Sequence, residues 1–206
     1  MTILNQQTIE RLGKELKSRI DDYHDMFTFP LKGELWEEVL SKSLKSIGVD
    51  NDWQPTGSHK SGSDMKVLQT GELISCKSGT IDNYGTLTLS GSRSTKYKTL
   101  DEKIDFFSNK QEDLYALLAK PPGVSAGIPD YEFILFHTGL LDYRSLDWDK
   151  NKSGKAYVAE NEHLSCRIQS SMSGQLWTDI KNYKQNAGIF CSIPIIPKQK
   201  ENNERL

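Results

Sequence analysis

The sequence predicts an α/β protein: a central mixed β-sheet flanked by helices. Segments of helical period alternate with short apolar runs of strand length, and no internal repeat breaks this order. The chain has 206 residues, enough for one domain with a well-buried core but cramped for two. A single domain over 1–206 is therefore expected.

Residues 6–24 carry Ile9, Leu12, Leu16 and Ile20 at helical spacing, with Arg11, Lys14, Lys17 and Arg19 between them, which makes an amphipathic helix. Segment 1–25 is also the candidate dimerisation element. After Pro30, residues 32–47 place Leu35, Val39, Leu40, Leu44 and Ile47 on one broad face before Gly48 ends the helix. Residues 65–68, 73–76 and 86–90 read as strands, the first two joined by a tight turn at Gln69-Thr70-Gly71-Glu72. Residues 99–119 return to helical spacing through Ile104, Phe107, Leu114, Leu117 and Leu118. The run YEFILFH, residues 131–137, is a central strand, and 156–159, 163–168 and 189–196 are further strands. Residues 171–177 read as a helix start, and 198–206 form a polar tail.

Charge and composition narrow the function. With 28 acidic against 26 basic residues the formal charge is −2, which lacks the basic excess of a passive nucleic-acid binder. A metal-dependent nuclease escapes this objection, because it needs carboxylates for its cations and can gather lysines in one cleft. No apolar stretch reaches the roughly 20 residues of a membrane span, and the first residues lack a secretory core, so a cytoplasmic protein is expected. Cys76, Cys166 and Cys191 have no zinc spacing, nor do His24, His137 and His163. The glycines form no phosphate-binding loop.

The informative stretch is GSHKSGSDMKVLQTGELISCKSG, residues 57–79. A hairpin there puts Asp64 at the start of one strand and Lys77 at the end of the next, on one rim of the sheet. Alternation sends Ser75 and Lys77 to one face and Cys76 to the other. On the preceding helix Glu37 lies at the edge of the buried arc, with Glu34 further out. His59, Lys60 and Ser61 lead into Asp64. Downstream, Ser92, Arg93, Ser94, Lys96, Tyr97 and Lys98 combine hydroxyls, cations and an aromatic ring, a set suited to phosphates and base edges. Plainer roles also suit these residues: Asp64 as a turn cap, Lys77 as a solvated strand end, the glutamates as a solvated helix face. Two other acidic pairings are weaker: Asp64-Met65-Lys66 with Asp50 or Asp52, and Pro129-Asp130 ahead of the apolar strand.

Asp64 followed by Ser75-Cys76-Lys77 on the next strand resembles the signature of the PD-(D/E)xK nucleases. The G-x-x-W-E run, Gly33 to Glu37, looks like that superfamily's first-helix motif, and the likeness covers about residues 33–98. Ser63 stands in place of the proline and Ser75 in place of the second acid. The resemblance implies a restriction-endonuclease-like fold and Mg²⁺ held by Asp64, the Cys76 carbonyl and a further acid, Glu37 first and Glu34 second. It implies Asp64, Lys77, Glu37 and Ser75 as the catalytic set. The implied activity is that of a type II restriction endonuclease hydrolysing double-stranded DNA to 5′-phosphate and 3′-hydroxyl ends as a homodimer. A structure-specific repair nuclease and a non-catalytic DNA-binding module are the alternatives.

Overall fold

The structure, a computed structural model, describes residues 5–55, 63–109, 112–123, 127–170, 174–186 and 188–198. It is α/β, with a large mixed sheet and a few helices. Helices α1 (Gln6–Met26) and α2 (Glu34–Ser46) come first. Strands β1 (Met65–Lys66), β2 (Leu73–Ile81) and β3 (Leu87–Arg93) follow, then α3 (Leu100–Ser108), β4 (Leu114–Lys120) and β5 (Tyr131–His137). The chain ends through β6 (Asp149–Lys150), β7 (Ala156–Glu160), β8 (Leu164–Gln169), β9 (Gln175–Ile180) and β10 (Ile189–Ile195). The strand order is β10-β5-β4-β2-β3-β9-β8-β7-β6, with β1 added beside β2. Only the β2–β4 pair is parallel among these ladders. Among the described residues no helix is long and apolar enough to cross a membrane.

The sheet separates two apolar layers. On one face α1 and α2 bury Ile9, Leu12, Leu16, Ile20, Trp36, Leu40 and Leu44 against β1, β2, β4, β5 and β10. On the other, Phe107 of α3 and Tyr143 pack with β3 and β7–β9. Helix α1 starts because the Asn5 side chain accepts the Thr8 N–H, an N-cap that satisfies one orphan donor. Thr99 and Glu102 form a reciprocal capping box that starts α3.

Three elements differ from the sequence-based expectation. The span 99–119 is a helix only to Ser108; Leu114 to Ala119 form a central strand, no more than 2 % exposed anywhere. Leu114, Ala116 and Leu118 enter one layer while Tyr115, Leu117 and Ala119 enter the other, so an unbroken apolar run suits a strand buried on both faces and its helical spacing is coincidental. Residues 175–180 are β9 rather than a helix, since Leu176, Thr178 and Ile180 are buried alternately. In α2 the buried arc is turned toward Trp36, at 1 % exposure, and Leu35 is half-exposed.

The α1–α2 linker is pinned to β5 by a buried polar relay. His24 Nδ1 faces the Phe27 carbonyl at 2.9 Å and must donate to it. Its Nε2 then accepts from the Tyr131 hydroxyl at 2.9 Å, while that oxygen accepts the Leu31 N–H at 2.9 Å. Burial pushes the Tyr131 hydroxyl up to about 12, so it remains a donor across the physiological range. Tyr131→Phe strands two buried groups at once and is expected to cost about 1–3 kcal/mol. Urea unfolding checks this, and an unchanged midpoint contradicts it.

Candidate active site

The site forms where β2 and β3 part. Beyond Leu73, β4 borders β2 on one side throughout, from Ile74 to Thr80. On the other side β1 pairs with Leu73 and Ile74, and β3 joins only from Gly79 onward. After Leu89, β3 stays with β9, pairing Ser90 with Trp177 and Arg93 with Gln175 across a register shift. Gly79 permits the close approach where β3 arrives, because a Cβ there would lie 2.9 Å from the Thr88 carbonyl oxygen.

Side chains fill the resulting notch. Asp64 N–H donates to the Ile74 carbonyl at 2.9 Å, fixing Asp64 beside β2. Its Oδ2 accepts the Cys76 N–H at 2.6 Å and the Ser75 hydroxyl at 3.0 Å. Lys77 Nζ donates to Ser75 Oγ at 2.6 Å and lies 5.7 Å from the centre of the Tyr115 ring. Ammonium, hydroxyl and carboxylate thus form one chain, with fully buried Ser75 as its link. A strand residue directs its N–H and C=O to the same side, so the Cys76 carbonyl faces the notch as well.

Glu37 comes from α2 on the helix-bearing face. Its Oε2 accepts Trp53 Nε1 at 3.4 Å. Burial first, then the Asp64 carboxylate, hold its carboxyl above its ordinary value of 4.5; the Trp53 bond and Lys77 oppose this. Two carboxylates therefore share the notch with one ammonium, that of Lys77. Glu34 is exposed on the first turn and adds only its charge. The Cys76 thiol is buried in the core, and burial, Asp64 and Glu37 push it well above the usual thiol range, so it remains protonated and offers no sulfur ligand.

The donor set suits a hard cation of the Mg²⁺ kind. Such an ion takes one or two carboxylates and leaves the rest of its shell to water and phosphate. Asp64, Glu37 and the Cys76 carbonyl supply that sparse oxygen set. Among the described residues no cluster of three or more His, Cys, Asp or Glu side chains is gathered to hold a metal alone.

The remaining sequence candidates are distributed as follows. Arg93, Lys96 and Lys98 are exposed, and Tyr97 packs its ring 4.9 Å from that of Phe106. Ser94 is fully buried and donates to the Gly174 carbonyl at 2.7 Å, which ties β3 to the start of β9 and removes it from any DNA-facing set. His59, Lys60, Ser61 and the Ser92 side chain lie outside the described residues. The Asp52 carboxylate accepts the Lys66 N–H at 2.6 Å and so holds β1 in place. Sequence reasoning missed Trp53 and Tyr115. An aromatic just upstream of the hairpin was the available signal for Trp53; Tyr115 was hidden in the run read as helix.

No protein-family model matches the chain, and no curated protein is similar to it.

The raised Glu37 carboxyl has a consequence for stability. It binds its proton more tightly in the folded state than in the unfolded chain, so its contribution favours folding below about pH 4.5 and is lost as pH rises through the folded value. Without divalent cations, Glu37→Gln should therefore gain stability relative to wild type between pH 4 and pH 7. Urea unfolding in EDTA at the two pH values tests the sign, and a gap that shrinks or stays constant on going to pH 7 contradicts it.

Proposed function

We propose that this chain is a Mg²⁺-dependent DNA endonuclease of the PD-(D/E)xK kind, with a restriction-endonuclease-like fold, acting as a type II restriction enzyme. The observation that carries the proposal is the Lys77–Ser75–Asp64 chain beside Glu37, since it unites on one notch the residues that the sequence motif singles out. Asp64, Glu37 and the Cys76 carbonyl would hold the cation. When bound, it supplies charge stabilisation at a phosphodiester and a lowered pKa for water.

The protein's own groups do the positioning. Ser75, in the place of the second acid, supplies no charge, but it fixes the rotamers of Lys77 and Asp64 through one hydroxyl. The Lys77 ammonium, held over the Tyr115 ring, orients the attacking water and stabilises the negative charge that develops at the phosphate. Hydrolysis leaves 5′-phosphate and 3′-hydroxyl ends. Cutting both strands of a duplex needs two such sites, which a homodimer on a palindromic target provides.

Incubating plasmid DNA with the protein in Mg²⁺ and in EDTA, then sizing and end-sequencing the products, tests the proposal. Discrete fragments sharing one end motif, in Mg²⁺ alone, are expected. Asp64→Ala and Lys77→Ala should each reduce cleavage by about 10²–10⁴-fold while leaving unfolding cooperative. Full activity in either variant removes the site assignment. Cleavage without a common end motif indicates a structure-specific nuclease, and a gel shift without cleavage indicates a binding module.

A further inference from the structure

Beside the α1–α2 linker, a cavity of about 250 Å³ lies between Leu31 and Lys32 on one wall and Ser78, Thr80, Thr88 and Trp177 on the sheet. It shares Thr80 and Lys120 with a second cavity of about 690 Å³ that extends to Pro121 and Pro122. It shares Thr88 and Trp177 with a third, of about 500 Å³. The three form one groove. Ser78 and Thr80 share with Cys76 the face that α1 and α2 cover further back, so the groove opens on the Glu37 side of the sheet edge, opposite to the face that carries the Lys77 side chain. Its other wall, at Lys32, immediately precedes the helix that carries Glu37.

Charge gives the groove a direction. Lys32 and Lys120 are exposed, and neither is in a salt bridge among the described residues. The third cavity is walled instead by four acids, Asp147, Asp149, Glu160 and Asp179, against one cation, Arg167, while the lysine end carries one acid, Asp130. A polyanion is drawn to the lysine end and repelled at the acidic end. Between the two stands Trp177, half-buried at the junction, with the exposed hydroxyls of Ser78 and Thr80 nearby. Thr88 is occupied, donating to Asp179 Oδ1 at 2.6 Å. Cations, exposed hydroxyls and an aromatic plane are the groups that hold a nucleic-acid strand.

On the premise of the nuclease proposed above, we infer that this groove holds the DNA strand flanking the scissile phosphate. Lys32 and Lys120 meet backbone phosphates, and Trp177 provides a stacking surface. The acidic cavity bounds the contact, so the strand leaves past Lys120 and Pro121.

The test is fluorescence anisotropy of a labelled mixed-sequence duplex in EDTA, where no cutting occurs, repeated over a range of salt. Lys32→Ala and Lys120→Ala should each lower the slope of log affinity against log salt by about one. Trp177→Ala should weaken binding about tenfold, with Trp177→Phe restoring most of the loss. Lys152→Ala, on an exposed turn and lining none of the three cavities, is the control. If the wild type binds and the groove variants bind equally well, the groove is not the DNA path, while the nuclease proposal stands. If the wild type neither binds nor cuts duplex DNA, that proposal fails and the inference falls with it.

Discussion

The Asp64 carboxylate takes the place that a strand carbonyl would otherwise hold beside Cys76, and the candidate site depends on that substitution. An unpaired buried N–H is costly, so the gap left where β3 parts from β2 has to be filled by some acceptor. Asp64 fills it at 2.6 Å with one oxygen and keeps the rest of its carboxylate for chemistry. The same contact orders its neighbours. Ser75 donates to that oxygen and receives Lys77, so one anchored carboxylate sets the position of an ammonium. Glu37 arrives from the other side of the sheet edge because Trp36, its neighbour in α2, is locked in the core at 1 % exposure.

Ser75 in the position of an acid changes the electrostatics more than the geometry. A carboxylate there would pair with Lys77 directly and add a third negative charge to the notch. A hydroxyl bridges Lys77 and Asp64 without that charge, leaving Asp64 and Glu37 as the two acids of the notch. Burial first and the Asp64 charge second raise the Glu37 carboxyl, and both are relieved by a cation.

The hairpin that builds the site was legible because two short strand-like runs flank a compact polar turn, Gln69-Thr70-Gly71-Glu72, and that local signal survives although β2 lies inside the sheet. The edge position of Glu37 was legible from helical geometry even though the buried arc is turned toward Trp36. Leu114 to Ala119 were not legible, because periodicity carries no information when both faces of a strand are buried. With that strand went Tyr115, which supports Lys77. Ser94 read as a surface hydroxyl from its polar neighbours, yet the bond to Gly174 draws it inward, a contact between residues far apart in the chain that local sequence cannot announce. The groove beside Trp177 was hidden for the same reason, since its walls come from the linker, β2, β3 and β9.

The central claim is that Asp64 and Glu37 share one cation. It is tested most directly by titrating the metal-free protein with Mn²⁺, a paramagnetic stand-in for Mg²⁺, and following water-proton relaxation. Saturable enhancement that Asp64→Asn and Glu37→Gln each abolish is the predicted result. Equal uptake by wild type and both variants would contradict it.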